Sequence, residues 1–378
     1  MLNSSQSVNR FVVDATVFEI PLTGIAKATL GLYEGCLEVE PDLEVEFLHR
    51  LDLQAEIPAS IQTIKRPGFI PNHPTKLWRS VTLPLYLRQT RPQVVHFPWN
   101  GGLPANLPAR VLRVMTLHDV LPLIVPNYLT SPAREFHYRW RIQQNINRAH
   151  LLITDSEYSR KQILKEFKTN LDPVVVYPAS PVRVPKVNPK DSHHRGEYFF
   201  YCGGYDKRKG IEELAKAFVR LWQDPNFRIP LVMAGEPHYY SDKLATLIEA
   251  GKQSGAIHEL GYIAEDELEP LYRNAMALVY PSRYEGFGLP PLEAMTVGCP
   301  VITYSLTSLP EVCGEAALYL EADDEHAIEK AVREVAGNPE MRERLTAQGL
   351  EQAQKFSWAN AGRVFLEAVR ENYRARFG

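Results

Sequence analysis

Residues 280–302 read YPSRYEGFGLPPLEAMTVGCPVI, and this stretch carries more information than any other part of the chain. An apolar strand gives way to a loop, and Pro290 or Pro291 is preset for the first turn of a helix. Gly286 and Gly288 remove side chains that would keep a ligand away from the backbone. The helix start supplies unpaired N–H groups and the positive end of the helix dipole. The stretch therefore predicts a seat for an anion, and a phosphate fits it best.

Two glutamates flank this predicted seat. Glu285 lies in the loop, and Glu293 is expected in the first helical turn, where a carboxylate is favoured near the dipole. Two acceptor carboxylates beside a phosphate suit hydroxyl-rich neighbours, a sugar on one side and a ribose on the other. Taken alone, Glu293 could merely cap its helix, and Glu285 could be a solvated charge in the loop. Taken as a whole, the segment favours a ligand site.

Working outward, short apolar runs alternate with segments of helical period, such as 132–148 and 157–168. This alternation is typical of βα units around a parallel sheet. The predicted strands are 11–15, 45–49, 94–98, 111–118, 151–155 and 174–177, then 198–202, 230–234, 257–260, 277–280, 301–303 and 318–320. The order of these patterns predicts two α/β domains in series.

A stretch rich in proline and charge separates the two series and lacks apolar periodicity, so it is predicted to be an interdomain linker. We expect two Rossmann-like domains facing a central cleft, with ligands beyond the carboxyl ends of the strands. The predicted divisions are a first domain at 1–182, the linker at 183–196, a second domain at 197–356 and a last helical segment at 357–378. The chain has neither G-x-G-x-x-G after its first strand nor G-x-x-x-x-G-K-[ST], so dinucleotide dehydrogenases and P-loop ATPases lack their fingerprint.

The 280–302 segment resembles the E-x7-E signature of glycosyltransferase family 4, and the resemblance extends along nearly the whole chain. This family consists of retaining enzymes of the GT-B fold that move a sugar from a nucleotide-sugar to an acceptor. The resemblance implies that Glu285 contacts sugar hydroxyls and that Glu293 holds the ribose. It also implies that the backbone amides of three residues face the diphosphate and sugar, namely Phe287, Gly288 and Leu289. The closing helix is expected to return to the N-terminal domain.

Residues 199–218, FFYCGGYDKRKGIEELAKAF, resemble the family's strand–R-K-G turn, which puts Arg208 and Lys209 on the diphosphate. A leaving nucleoside diphosphate gains negative charge as the glycosidic bond breaks, so fixed cations there stabilise the transition state. Some family members carry an arginine where this chain has Gly204, which leaves Arg208 to supply that contact. The resemblance also makes His118, at the end of a predicted strand, a contact of the transferred sugar.

Further donor-binding positions follow from the same resemblance. Gly24 matches the family's glycine-containing first loop, although an ordinary glycine at a helix start is an equal alternative. The loop of Gly261, Tyr262 and Ile263 is expected to contact the base through its backbone. We assign His96, at another strand end, a packing role.

Neither a metal nor another cofactor is expected. The four cysteines are far apart and lack C-x-x-C spacing, which indicates neither a zinc site nor a disulfide framework. Asp323-Asp324-Glu325 precedes a helical pattern and is interpreted as capping, and His193-His194 has no spaced partner. The site residues are therefore predicted to act without a metal.

Charge is distributed unevenly along the 378 residues. The net charge of −3 combines +3 over residues 1–180 with −6 over 181–378, and residues 61–141 alone carry eleven basic and two acidic side chains. A globally basic nucleic-acid binder is excluded by the net charge. The basic segment, with Trp78, Tyr86, Tyr138 and Trp140, either meets an anionic membrane surface or is a solvated set of charges.

The sequence has no signal peptide pattern and no apolar run of membrane-spanning length, so we expect a cytoplasmic protein with at most peripheral contact at the inner face of the plasma membrane. The expected function is hexose transfer to a glycan or polyprenyl-linked acceptor in bacterial envelope or exopolysaccharide synthesis. UDP-glucose is the favoured donor, and GDP-mannose is the alternative. A nucleotide-sugar epimerase, a phosphorylase and a non-catalytic nucleotide-sugar-binding protein are the alternatives from other classes.

Overall fold

The computed structural model describes residues 8–20, 23–68, 75–182, 197–236, 241–322 and 324–378. The predicted linker at 183–196 and Asp323 lie outside the described residues. The chain divides into two compact units, one formed by Met1–Ala179 with Ser357–Gly378 and the other by Ser180–Phe356.

Thirteen β-strands occur in the described ranges. They are β1 Arg10–Asp14, β2 Glu44–His49, β3 Gln62–Lys65, β4 Val94–Phe97, β5 Leu112–Thr116, β6 Leu151–Thr154, β7 Val174–Val175, β8 Phe199–Cys202, β9 Leu231–Ala234, β10 Ile257–Gly261, β11 Leu278–Tyr280, β12 Val301–Tyr304 and β13 Ala317–Leu320. Most are short and rich in β-branched, aromatic or other apolar residues, as strands buried in a parallel sheet are.

Fourteen α-helices lie in the same ranges. They are α1 Gly24–Val39, α2 Thr75–Ser80, α3 Thr82–Thr90, α4 Leu121–Ile124, α5 Pro132–Arg148, α6 Glu157–Glu166, α7 Ile211–Leu221, α8 Asp242–Ser254, α9 Glu265–Asn274, α10 Leu289–Thr296, α11 Leu309–Cys313, α12 Ala327–Gly337, α13 Pro339–Ala353 and α14 Trp358–Phe377. Short 3-10 turns occupy Ala15–Phe18 and Lys207–Lys209.

Both sheets are parallel and follow the doubly wound order. The sheet of the first unit runs β3-β2-β1-β4-β5-β6-β7, and that of the second runs β10-β9-β8-β11-β12-β13. In each unit the order reverses beside the first strand, which creates a switch point between β1 and β4 and another between β8 and β11. Ligands of such sheets bind outside the carboxyl ends of the strands at these points. The prediction of two Rossmann-like domains is confirmed.

The first unit buries both faces of its sheet because side chains alternate along each strand. Phe11 and Val13 of β1 belong to a core cluster with α1 and α14, while Val12 belongs to a second cluster on the other face. Phe365 of α14 is fully buried in the first cluster, with its ring centroid 6.3 Å from that of Phe11 and 5.9 Å from that of Tyr33.

The helix α14 packs along α1, which confirms the prediction that the last helix returns to the N-terminal domain. Small residues make this close packing possible. A Cβ atom at Gly31 would collide with the indole of Trp358, and one at Gly35 would collide with the Trp358 backbone. Arg370 of α14 forms an ion pair with Glu40 just beyond the end of α1.

Three of the four aromatic side chains noted in the basic segment 61–141 lie inside the first unit. Trp78, Tyr86 and Tyr138 are buried, whereas Trp140 is exposed. Buried aromatic rings fill the core, so these three side chains cannot meet a bilayer.

Several of the cations in this segment are also neutralised within the unit. Arg79 is buried, and its Nε donates to Asp14 Oδ2 at 2.5 Å. Arg139 pairs with Glu135 and Glu166 at 3.0 and 2.8 Å. In the described part of the chain no helix combines the length and apolar character needed to cross a bilayer.

Candidate active site

The second unit brings its candidate residues together at the carboxyl ends of β8 and β11. The turn after β8 is capped by Asp206, whose side chain accepts a hydrogen bond from the Arg208 backbone N–H at 3.0 Å. Gly210 closes this turn with φ +66°, and a Cβ atom there would collide with the Pro281 carbonyl. The Arg283 N–H also donates to the Arg208 carbonyl at 2.8 Å. The two loops at the switch point are therefore held side by side.

Glu285 lies at the centre of this arrangement and is only 8% exposed. Lys209 Nζ is 2.6 Å from its Oε1, and Arg208 Nη1 is 3.1 Å from the same atom. The Ser282 hydroxyl donates to Oε1 at 2.6 Å and the Tyr280 hydroxyl at 2.9 Å. Burial alone would raise the pKa of Glu285, but the two cations and the hydrogen bonds from Lys209 and Ser282 lower it to about 2.

The two oxygens of the Glu285 carboxylate differ in their surroundings. Three hydrogen bonds and the ion pair with Arg208 all meet Oε1, and no residue in the described ranges donates a hydrogen bond to Oε2. An ionised carboxylate accepts at both oxygens. The arrangement thus fixes one oxygen and leaves the other able to accept a hydrogen bond from a ligand.

Sequence reasoning put Arg208 and Lys209 on a diphosphate, and the structure places both on Glu285. The Arg208 guanidinium also donates from Nη1 to the Tyr284 carbonyl at 2.6 Å. Lys209 is 9% exposed and donates to the Tyr280 hydroxyl as well as to Glu285. Because an ammonium has three donors, Lys209 retains one beyond these two partners.

The helix α10 begins at Leu289, so Pro290 and Pro291 lie in its first turn as predicted. Gly288 is its N-cap with φ +116°, and Leu289 is its first residue. Pro290 and Pro291 have no N–H group, so the donors at this helix start belong to Gly288 and Leu289. Phe287, immediately before the cap, is buried against Phe356 with a centroid distance of 5.7 Å.

Glu293 is the fifth residue of α10, so the prediction that it lies in the first turn is wrong. The reason is that Gly288, with its left-handed backbone, starts the helix before the prolines. Glu293 is 4% exposed and accepts a hydrogen bond at Oε2 from the hydroxyl of Tyr272 on α9, at 2.8 Å. It is thus neither a helix cap nor a solvated charge.

The other predicted donor-binding positions follow two strands of the same sheet, β8 and β10. Gly204 comes after β8, and its carbonyl accepts from the Tyr201 hydroxyl at 3.2 Å. Gly261 ends β10 with φ +71°. Tyr262 is 64% exposed, and Ile263 is half-buried. All four lie at the carboxyl edge of the sheet, as predicted.

In the first unit, His118 follows β5 and is 8% exposed. Its Nδ1 is 2.6 Å from Asp155 Oδ2, and its Nε2 is 3.0 Å from the Pro98 carbonyl oxygen. Burial alone would lower the pKa of His118, but Asp155, the Pro98 carbonyl and the charge of Asp119 raise it to about 9. A protonated ring donates at both nitrogens and matches both partners.

A pocket of the first unit is lined by both histidines considered in the sequence analysis, His96 and His118. Its lining includes Thr29, His96, His118, Asp155, Tyr177 and Trp358. His96 is fully buried between the Tyr33 hydroxyl at 2.9 Å and the Thr116 hydroxyl at 2.8 Å, and burial lowers its pKa to about 3. These contacts agree with the packing role assigned to His96. Gly24 is the first residue of α1, and Thr23 caps that helix.

Among the residues that the structure describes, no group of three or more His, Cys, Asp or Glu side chains could hold a metal ion. Sequence reasoning missed five polar residues that contact the candidate site residues: Asp155, Tyr272, Tyr280, Thr307 and Ser308. Tyr280 and Asp155 lie at strand ends, where a polar residue is a usable signal. The others come from segments that are far away in sequence.

Known proteins match both halves of the chain. The family described as Glycosyl transferases group 1 matches residues 186–352, and Glycosyltransferase Family 4 matches residues 42–179. O-antigen chain mannosyltransferase B of Escherichia coli is 34% identical over 294 residues, which are 75% of this chain and 76% of that protein. The chain belongs to the glycosyltransferase family that these matches share. The predicted enzyme class is thereby confirmed, and the non-catalytic and epimerase alternatives are set aside.

Two further matches describe the extent of the likeness. Serotype-specific mannosyltransferase WbdA of Escherichia coli is 28% identical over 281 residues, covering 70% of this chain and 34% of that protein. The chain thus spans about a third of WbdA. Sucrose-phosphate synthase from Thermosynechococcus elongatus superimposes with a TM-score of 0.74 at 18% identity, covering 97% of this chain and 100% of that one. The predicted GT-B fold is confirmed.

Proposed function

We propose that this glycosyltransferase transfers mannose from GDP-mannose to a growing glycan of the O-antigen type. Two relatives are mannosyltransferases by name, and the first acts on an O-antigen chain. This reverses the order of donors expected from the sequence, where UDP-glucose came first. The observation that supports sugar transfer best is the Glu285 carboxylate, which has one oxygen fixed by three hydrogen bonds and an ion pair and the other able to accept from a hydroxyl.

In the proposed donor seat, Glu285 Oε2 accepts a hydrogen bond from a sugar hydroxyl. The remaining donor of Lys209 binds a phosphate oxygen, and the charge of Arg208 lies beside it. As the glycosidic bond breaks, the leaving diphosphate gains negative charge, and these fixed cations stabilise it without a solvent rearrangement. Configuration at the anomeric carbon is retained, with the leaving phosphate oxygen taking the acceptor's proton on the same face.

The remaining assignments follow the family resemblance. We propose that Glu293 binds the ribose, with its carboxylate oriented by Tyr272. The backbone of five residues binds the rest of the donor: Gly204 and the helix start at Phe287, Gly288 and Leu289 on the diphosphate side, and Gly261 on the base side. The backbone of Tyr262 and Ile263, in the loop that follows Gly261, is also proposed to contact the base. Gly24 and His118 are the proposed contributions of the first unit, and the reaction is proposed to need no metal.

A thermal-shift panel tests the choice of donor. GDP and UDP are added separately, and a ligand at about 100 times its Kd adds about 2.7 kcal/mol to stability. We expect GDP to stabilise the protein and UDP to leave it unchanged. Stabilisation by UDP alone would restore UDP-glucose as the donor.

A turnover assay tests the reaction itself. Release of GDP from GDP-mannose is followed with and without a polyprenyl-linked glycan acceptor. We expect acceptor-dependent release by the wild type and a large loss in Lys209→Met, which keeps the length of the side chain but removes the charge. Equal release by Lys209→Met would contradict the proposed role of this cation.

We also propose that the enzyme contacts an anionic membrane surface through one face of α5. Phe136 and Trp140 are four residues apart, so they share a helix face, and they are 72% and 53% exposed. Arg134 and Arg141 lie on the same helix, and the helix as a whole has more cations than anions. Exposed aromatic rings on a helix with more cations than anions are typical of groups that bind at an anionic lipid interface.

Sedimentation with vesicles of phosphatidylglycerol and phosphatidylcholine tests this contact. The wild type should sediment at low salt, and the double variant Phe136→Ser, Trp140→Ser should stay in the supernatant. Leu350→Ser, at an exposed leucine of α13 in the second unit, is the matched control and should sediment like the wild type. Absence of wild-type binding, or equal binding by the double variant, would refute the contact.

A further inference from the structure

The loop after β12 contacts the backbone of Glu285 directly. Because β12 lies next to β11 in the sheet, the loops that follow these strands are neighbours at the same edge. The Thr307 hydroxyl oxygen accepts a hydrogen bond from the Glu285 backbone N–H at 3.1 Å. The Ser308 hydroxyl is 3.0 Å from the Glu285 carbonyl oxygen and 2.6 Å from that of Phe287, and it is fully buried.

These contacts add to the restraint of the segment that carries Glu285. Gly286 lies between the two carbonyls that Ser308 reaches, and a glycine without a Cβ atom has the widest choice of backbone angles. The side chain of Glu285 is fixed only through Oε1. Without the contacts to its N–H and carbonyl, the main chain that carries Glu285 could shift relative to the start of α10.

Thr307 adopts a backbone conformation that is unusual for its residue type. Its φ of +57° lies in the left-handed region, which β-branched residues avoid. A glycine would adopt this backbone more easily, but it would have no hydroxyl for the Glu285 N–H. Strained residues of this kind persist where the surrounding structure requires them and are common at functional sites.

We propose that Thr307 and Ser308 are positioning residues, which hold the main chain of Glu285 and Phe287 so that the free carboxylate oxygen of Glu285 is aligned with the donor sugar. The inference rests on the proposed function, in which Glu285 contacts that sugar. Neither hydroxyl is assigned a contact with the substrate. Thr307 contacts Glu285 and not Phe287, so the loss of its hydroxyl is expected to change the rate of transfer and not the binding of the nucleotide.

Three substitutions at one position separate the hydroxyl from the strain. Thr307→Ser keeps the hydroxyl, Thr307→Val keeps the shape and the strained backbone without the hydroxyl, and Thr307→Gly removes both. We expect Thr307→Val to lower kcat about tenfold, the effect of losing one hydrogen bond. Thr307→Ser should stay within about threefold of the wild type.

The Kd for GDP and the melting temperature show whether the role is merely structural. We expect GDP affinity to be unchanged in all three variants, because GDP lacks the mannosyl group that Glu285 is proposed to contact. Thr307→Gly should lose activity like Thr307→Val without losing thermal stability, since glycine relieves the strained φ. Thr246→Val, which removes an exposed hydroxyl of α8, is the control and should behave as the wild type.

The outcomes distinguish this inference from the proposed function. Equal kcat in Thr307→Val and Thr307→Ser, or a loss of kcat matched by weaker GDP binding and lower melting temperature, overturns the positioning role. Glu285→Ala serves as the reference. If it remains fully active, the proposed function of Glu285 fails, whereas an inactive Glu285→Ala with an unaffected Thr307→Val rejects the positioning role alone.

Discussion

Replacing Glu285 by glutamine should change how the stability of the protein depends on pH. The folded protein lowers the pKa of this carboxyl from an ordinary 4.5 to about 2. At 1.36 kcal/mol per pH unit, the difference corresponds to about 3 kcal/mol of unfolding free energy. A carboxyl whose pKa is lowered on folding stabilises the protein above pH 4.5, and this stabilisation is lost as the pH falls toward 2.

The glutamine variant lacks this titrating group. At pH 6 it should be less stable than the wild type, because Lys209 and Arg208 remain partly buried without their anion. As the pH falls from 6 to 3, the wild type loses about 2 kcal/mol through protonation of Glu285, and the variant does not. The gap in unfolding free energy between the two should therefore narrow by about 2 kcal/mol.

Urea unfolding at pH 6, 5, 4 and 3, followed by circular dichroism, measures this gap. Glu351→Gln is the matched control, since Glu351 is exposed on α13. The gap between the wild type and this control should stay constant over the same range. A constant gap for Glu285→Gln would refute the assignment of Glu285 as the ionised centre of the cluster.

Three further predictions concern other contacts. Tyr272→Phe removes the hydrogen bond to Glu293 and should weaken GDP binding about fivefold with kcat unchanged, as measured by calorimetry and steady-state kinetics; unchanged affinity would contradict it. The pKa of His118 is raised to about 9, so the stabilisation of the folded protein by this histidine is complete below pH 6.5 and is lost as the pH rises toward 9. Asp155→Asn should remove about 3 kcal/mol of this pH dependence of the unfolding free energy, as measured by urea unfolding. An unchanged pH profile would count against a His118–Asp155 ion pair. Phe365→Ala should destabilise the first unit by about 3 to 5 kcal/mol in the same assay, and a loss below about 1 kcal/mol would show that α14 contributes little to this core.

Much of the fold could be predicted from the sequence because apolar runs and helical periods are local signals. The helix predicted at 132–148 has these bounds in the structure, and Ser156 caps the helix that follows it. The strand β3 was missed, since Gln62–Lys65 is mostly exposed and has no apolar run. An edge strand of this kind is defined by pairing with its neighbour β2, which composition does not reveal.

The candidate site was predicted in its residue types but not in its contacts. The motif located Glu285 and Lys209, yet their pairing joins positions 76 residues apart. Thr307 lies 22 residues beyond Glu285 and contributes a hydroxyl that no local pattern marks. The basic segment shows the same limit, because a count of charges cannot reveal that Arg79 is neutralised by Asp14, 65 residues earlier.

The packing of α14 on α1 determines the order in which the two units can complete their folding during synthesis. A ribosome releases Gly24–Val39 early, but the helix Trp358–Phe377 that covers it is made only after all of Ser180–Phe356. Domains generally fold as units during synthesis, from the N-terminus onward. The second unit can therefore fold completely before α14 is synthesised and buries the apolar face of α1. The first unit starts to be synthesised first but completes its folding last. Chaperones that guard exposed apolar surface during translation would therefore be needed longest at the beginning of this chain.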